Sequence, residues 1–306
     1  MDKLVTIIGG GGFIGRYAAR ELARAGWRIR IAAREPKAAF FVRPQAALGQ
    51  LSFATCDIRN AGSVARAVDG SDAVVNLVGI LKGNFQAFHV DGARHVAEAA
   101  AQAGAETLVH VSAIGADPAS ASDYAASKGE GEAAVRAAFP QATILRPSIV
   151  FGPEDDFVNR FARLQGLLPV VPIVRPEARF QPVYVRDVAQ AVAAAVSGQG
   201  RGETFELGGP EEITMDGLNR RIAGAIGRKA FLPLPDALTG LMAKATGWLP
   251  FAPITHDQWT MLGVPSVARG PGLKELGITP TPLDAVTDGW LVQYRRHGRF
   301  TADAAA

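Results

Sequence analysis

Tyr124 and Lys128 are the two residues whose types and spacing point most directly to chemistry. They stand four apart on a predicted helix over 124–138, so they share one face. An ammonium beside a phenol stabilises the phenolate. A tyrosine so placed exchanges a proton readily with a carbonyl or an alcohol. The spacing is common by chance, and its meaning depends on what else the chain places nearby. A hydroxyl partner is offered by Ser112 in "HVSAIG", although the neighbouring Ala113 competes for that place and carries no hydroxyl.

The stretch "TIIGGGGFIGR" supplies the context. Its glycines lie between the short apolar run Leu4–Ile8 and a helical pattern over 13–25, where a flexible linker has no purpose. Gly9, Gly12 and Gly15 are spaced G-x-x-G-x-x-G. The first permits a tight turn, the second lets backbone approach a pyrophosphate, and the third lets the helix pack closely on the strand. Free amides and the positive end of the helix dipole then meet the phosphate. Gly9, Gly11, Gly12, Phe13, Ile14 and Gly15 are the expected contacts of a nicotinamide dinucleotide. Beside it, Tyr124 would handle the proton while hydride moves. Equally open at this point is a Tyr124 that only packs and a Lys128 that only holds ribose.

The second strand ends in "AAREPK", with Arg34 where a carboxylate would take the ribose 2′-hydroxyl. A guanidinium suits a 2′-phosphate, and Lys37 is near, so NADP(H) is favoured over NAD(H). Glu35 keeps NAD(H) as the alternative if the turn is shifted by one residue.

The elements that must position these residues alternate along the chain. Strands are expected at Leu4–Ile8, Arg28–Ala33, Leu51–Thr55, 73–78, Thr107–Val111, 142–145 and Thr204–Leu207. Helices are expected at 13–25, Ala61–Val68, 90–103, 124–138 and 183–196. Short apolar strands alternating with helices imply right-handed crossovers and a doubly wound parallel sheet, the Rossmann α/β class. Prolines cluster after Phe151, which suggests loops and a smaller region. The expected layout is a dinucleotide-binding domain of 1–150 with 180–208, a small region of 151–179 with 209–300, and a disordered tail over 301–306.

Composition narrows the classes. The chain is 48% hydrophobic and 20% charged with a net charge of +3, which is ordinary for a globular protein. Cys56 is the single cysteine, so no internal disulfide forms and a reducing compartment is expected. No basic-then-apolar leader opens the chain, and no apolar run reaches the roughly 18 residues of a bilayer span. His89, His95, His110, His256 and His297 are scattered without metal-ligand spacing, so no metal is expected. No G-x-S-x-G elbow is present, and "YRRHGR" lacks the aromatic interleaving of a nucleic-acid groove. The apolar stretch 237–253 reads as packing of the small region, or as a surface helix against a partner or membrane.

The motifs resemble the extended or atypical short-chain dehydrogenase/reductase superfamily. The matching pieces are "GGGGFIG", Asp57–Ile58, "VVNLVG", "HVDGARHVAEAA", "YAASK", "ILRPSIVFGP" and "PVYVRDVAQAV". More narrowly, "HVSAIGAD", "RPSIVFGPEDDFVNRFA", "THDQWTML" and "LGITPTPL" resemble the dehydrogenase-like accessory subunits of respiratory complex I and their bacterial relatives. The resemblance implies Asp57 and Ile58 beside the adenine, and Leu77, Val78 and Gly79 along the middle of the cofactor. It also implies Pro147 near the nicotinamide and Tyr124 and Lys128 as shared catalytic and cofactor residues. It implies docking on complex I subunits from the cytoplasmic side, peripheral to the inner membrane. An active oxidoreductase, epimerase or dehydratase acting on a small carbonyl or hydroxyl compound is the alternative.

Overall fold

The computed structural model describes residues 3–227, 230–236, 239–241, 244 and 255–295. Most of 237–253, the basic end 296–300 and the tail 301–306 lie outside the described residues.

In chain order the elements are β1 (Leu4–Ile8), α1 (Phe13–Arg24), β2 (Arg28–Ala33), a 3-10 helix (Pro36–Gln45), β3 (Leu51–Thr55), α2 (Ala61–Val68) and β4 (Ala73–Asn76). A π-helical turn (Gln86–Asp91) runs into α3 (Gly92–Gln102), followed by β5 (Thr107–Val111), α4 (Asp123–Ala138) and β6 (Thr143–Pro147). Next come β7 (Val150–Phe151), α5 (Val158–Leu167), β8 (Val171–Ile173), β9 (Arg179–Phe180), β10 (Val183–Tyr184), α6 (Val185–Val196) and β11 (Thr204–Leu207). The chain continues through β12 (Ile213–Thr214), α7 (Met215–Ile226), β13 (Phe231–Pro233), α8 (His256–Met261), α9 (Gly272–Glu275) and α10 (Asp284–Leu291).

Two compact units result. The first comprises Met1–Pro147, Val185–Leu207 and Ala268–Thr279. Its seven strands pair in the order β11-β6-β5-β4-β1-β2-β3, every pairing parallel. The central strands β1, β4 and β5 are covered on both faces, which is why they read in the sequence as largely apolar runs, whereas the edge strand β3 has no fully buried residue. Helices α2, α3 and α4 cover one face through Val64, Val68, Val96, Ala100 and Val135, packed on Ile8, Val74 and Leu108. Helices α1 and α6 pair with each other and supply Ala18, Ala19, Leu22, Val188 and Val192 to the core. This is the doubly wound α/β arrangement that the alternation implied.

The differences have local causes. β4 stops at Asn76, not at 78, because the Asn76 side chain takes the Val78 N–H at 3.1 Å and turns the backbone out of the sheet. The helix expected from residue 90 starts at Gln86 as a π turn. Val183 and Tyr184, expected as helix, pair with Val150 and Phe151 as a strand before α6 begins. The segment Ala268–Thr279, which the sequence placed with the small region, joins the first unit. There the Arg269 N–H donates to Glu206 at 2.8 Å, and Gly272 sits so close that a Cβ would lie 2.5 Å from the Glu206 carbonyl oxygen.

The second unit comprises Ser148–Tyr184, Gly208–Val267 and the residues from Pro280 onward. It contains the pairs β7–β10 and β8–β13, both parallel, and β9–β12, antiparallel. Helix α7 packs against α5 and α10. The buried Leu218 and Ile222 of α7 and Ala162 of α5 belong to its core.

Candidate nucleotide site

The strand order reverses between β1 and β4, and the carboxyl ends of parallel strands at such a point form a crevice. The residues singled out from the sequence lie after consecutive strand ends. Gly9 to Gly15 follow β1, Arg34 and Lys37 follow β2, and Asp57 and Ile58 follow β3. Leu77, Val78 and Gly79 follow β4, Ser112 follows β5, and Pro147 closes β6.

The glycine turn is built by close approach. Gly9 has φ +82°, and a Cβ there would come within 3.3 Å of Val78 Cγ2 and 3.4 Å of the Leu77 carbonyl carbon. A Cβ at Gly15 would lie 2.6 Å from the backbone of Gly10, and one at Gly11 would lie 2.8 Å from Ala39 Cβ. The N-cap of α1 is Gly12, which provides no side-chain cap, and the first turn holds no acidic residue. The first amides of α1 therefore have no intrahelical acceptor and face the dipole's positive end outward.

At the far end of the crevice, Arg34 and Lys37 are exposed. Asp57 is held by Arg59 through contacts of 3.0 and 2.6 Å. That hydrogen bonding lowers its carboxyl to about 2, against slight burial, and Arg34 adds to the effect. Asp57 is thus committed to a guanidinium, while Arg34 and Lys37 present positive charge to solvent.

At the near end, α4 carries Tyr124 and Lys128 one turn apart. Lys128 is 3% exposed, and its Nζ donates to the Val111 carbonyl at 3.0 Å. Burial brings its ammonium down to about 8, with Glu132 pulling the other way. The Ser112 hydroxyl, next along β5's exit, is buried with no hydrogen-bond partner. Ala113 is partly exposed. A buried amine, an orphaned hydroxyl and an uncapped helix start are the donor set that a nucleotide's ribose and phosphates require, so these residues fit a dinucleotide. Among the described residues no cluster suited to a metal ion occurs.

Sequence reasoning passed over His89, on the π turn. Its Nε2 accepts the Ile80 N–H at 3.0 Å. Its Nδ1 lies 2.9 Å from Ser127 Oγ, which donates to the Tyr124 carbonyl at 2.8 Å. With Nε2 accepting and the serine proton used elsewhere, the ring is neutral with its hydrogen on Nδ1. The ring stacks on Phe85 (5.3 Å between centroids) and meets Tyr124 edge-on at 5.5 Å. One imidazole therefore links the segment after β4 to the helix bearing Tyr124. Burial first, then the Lys128 charge, lowers its pKa to about 4. His110, bonded through Nδ1 to Asn76 at 3.2 Å, is pushed down for the same reasons.

An acid limit follows. A histidine with a folded pKa near 4 and an ordinary unfolded value binds more protons when unfolded. Its full stabilisation is present above pH 6.5 and is lost as pH falls towards 4. The loss from His89 is about 3 kcal/mol, and His110 adds to it. Urea melts across this range are expected to show that fall in wild type and a shallower one in His89→Gln. Parallel pH profiles for the two proteins would remove His89 as the cause.

Comparison with known proteins decides the family. Residues 5–208 match the NAD dependent epimerase/dehydratase family model. The chain belongs to the NAD dependent epimerase/dehydratase family. The mitochondrial NADH dehydrogenase (ubiquinone) 1 alpha subcomplex subunit 9 of Mus musculus is 36% identical over 293 residues, covering 92% of this chain and 78% of that protein. The ceramide reductase of Caulobacter vibrioides is 31% identical, covering 94% of this chain and 96% of that enzyme. Among solved structures, the NADPH-dependent quinone oxidoreductase of Escherichia coli superposes with a TM-score of 0.74 at 21% identity, over 92% of this chain and 97% of that one. Members of the family bind nicotinamide nucleotides, and the crevice described above is where the fold places them.

Proposed function

We propose that this family member holds a nicotinamide dinucleotide, NADP(H) in preference to NAD(H), as a resident ligand, and serves as an accessory-type subunit docked on respiratory complex I. The glycine turn pressed against Leu77 and Val78 carries the nucleotide part. Gly9 to Gly15 receive the pyrophosphate, Arg34 and Lys37 the 2′-phosphate, and Lys128 the nicotinamide-side ribose. The similarity to the mouse mitochondrial subunit over 92% of the chain supports the docking part. Among the described residues no helix is long and apolar enough to cross a membrane, so association would be peripheral. Native purification from the host's membranes followed by mass spectrometry tests both halves. NADP(H) released on denaturation, with complex I subunits retained, is the expected result. NAD(H) in its place reverses the cofactor preference, and a free protein absent from membranes removes the docking.

A second reading is favoured by one observation, the alignment of Tyr124 and Lys128 on α4, with Lys128 hydrogen-bonded to the carbonyl of Val111, the residue before the orphaned Ser112 hydroxyl. Here the protein is a reductase for a carbonyl or hydroxyl compound, a reading supported by its similarity to the Caulobacter ceramide reductase. A bound nicotinamide would supply or accept hydride. Tyr124 would give its phenolic proton to the developing alkoxide, Ser112 would donate to the same oxygen, and Lys128 would favour the phenolate left behind. A Tyr124→Phe protein that binds nucleotide but loses all turnover establishes this chemistry. Wild-type protein that oxidises NADPH with no member of a broad carbonyl panel, long-chain keto lipids included, rules against it.

A further inference from the structure

The second unit has an apolar end that neither the nucleotide site nor the core explains. Helix α5 finishes at Leu167, 76% exposed, and the chain enters β8 through Val170, 48% exposed. In β8 the buried residues are Val171 and Ile173, so Pro172 points outward. The register of β8 with β13 sets Leu232 directly opposite Pro172, and Leu232 is 54% exposed. Pro172 and Leu232 are therefore paired neighbours, and the exposed Leu167 and Val170 stand just before them in the chain.

Two further properties say what covers this face. The first is the scarcity of backbone donors. Pro169, Pro172 and Pro233 lack an N–H. Prolines along β8 and β13 make these strands poor templates for pairing with a strand of a second copy. The same missing N–H groups lower the penalty of entering a medium that offers no hydrogen bonds. Among the described residues, Leu167, Val170, Pro172 and Leu232 are aliphatic side chains and a proline, not the tyrosine, tryptophan and phenylalanine anchors that characterise protein interfaces. The second property is charge. Arg160, Arg163 and Leu167 follow helical spacing on α5, and both arginines are exposed. Arg220, paired with Asp216, reaches over the Phe231 ring at 5.6 Å. The acid that follows β13, Asp236, is 3.8 Å from Arg175. Long basic side chains around an apolar tip keep their charges at the headgroups while their stems remain in apolar surroundings.

We propose that this end of the second unit is a lipid-contacting tip. Leu167, Val170 and Leu232 enter the boundary between headgroups and acyl chains of an anionic bilayer, and the exposed Arg163 meets its phosphates. This is the geometry of a peripheral contact. It goes beyond the assembly proposed above and does not depend on it.

Sedimentation of the purified full chain with vesicles is the test. One set of vesicles is phosphatidylcholine, the other an equimolar mixture with phosphatidylglycerol. Partition onto the mixed vesicles is expected to exceed that onto phosphatidylcholine by about tenfold or more at low salt, from a few basic residues near the surface. Leu167→Glu with Leu232→Glu is expected to lower partition on the mixed vesicles by about tenfold or more, since each leucine loses its burial. Both positions are exposed, so the melting temperature and NADPH titration of this variant should match wild type. The proposal is overturned if wild type sediments with neither vesicle, or if the double variant sediments like wild type. It is also overturned if light scattering shows a dimer that the two glutamates dissolve, because the face then belongs to a second copy. Loss of complex I subunits from the native protein, with vesicle binding intact, would refute the assembly and leave the tip standing.

Discussion

Replacing Gly15 with alanine is expected to reduce NADPH affinity by about a hundredfold and to lower stability by about 2–4 kcal/mol. The added methyl would lie 2.6 Å from the Gly10 carbonyl carbon, Cα and oxygen. All three are backbone atoms of the turn, so no flexible side chain can swing aside. Carbon contacts relax only near about 3.5–4 Å, and α1 must therefore withdraw from the turn. Its buried Ala18, Ala19 and Leu22 lose their fitted contacts in the same motion. The amides of Phe13, Ile14 and residue 15 move away from the pyrophosphate position. Gly26→Ala is the matched control. Gly26 has φ +85° and nothing within 4 Å, so a methyl there meets strain alone and costs about 1 kcal/mol. Fluorescence titration with NADPH and thermal melts distinguish the two. If Gly15→Ala binds within a few-fold of wild type, the amides after β1 do not hold the phosphates.

Much of this scaffold was readable because its central strands β1, β4 and β5 are buried on both faces and short apolar segments alternate regularly with helices. β1, β2, β3, β5 and β11 carry the limits that their apolar runs indicated, and α1 ends just before Gly26 as its pattern implied. The features that the sequence concealed depend on the contacts of particular side chains, some close in the chain and some far apart. Asn76 shortens β4 through its own amide. The 3-10 helix Pro36–Gln45 has no helical period to announce it, being bounded by prolines and packed by Ala39 against Gly11. His89 is one of five scattered histidines without metal-ligand spacing, so spacing alone does not single it out. Its partner Ser127 is 38 residues away. A usable signal existed, since His89 precedes Ala93, Val96 and Ala100 at helical spacing and so lies on the face that α3 buries. Burial without a metal partner, directly ahead of a predicted core helix, marks a histidine that orders its neighbours.

Lys128→Met is expected to make the protein more stable and worse at holding nucleotide, and the opposition of the two effects identifies what the lysine is for. Its ammonium falls from 10.5 to about 8 on folding because it is buried. At neutral pH the group is charged in both states, so folding bears a desolvation term of about 3 kcal/mol. Methionine keeps the unbranched stem and removes the charge. The Val111 carbonyl loses a donor at 3.0 Å, which takes back about 1 kcal/mol. The balance is a gain of about 2 kcal/mol, a rise of a few degrees in melting temperature. The sign can be checked through pH. Between pH 8 and 10.5 the unfolded lysine binds more protons than the folded one, so wild-type stability rises there. The advantage of Lys128→Met is therefore complete below pH 8, shrinks through this window and is gone above it. Nucleotide affinity of the variant is expected to fall by about tenfold or more, the loss of a charge-assisted contact to ribose. A buried amine that weakens the fold is retained when something it binds compensates. Were the methionine variant less stable than wild type at pH 7, Lys128 would be a structural strut of β5 and α4, and the ribose contact would lose its physical support.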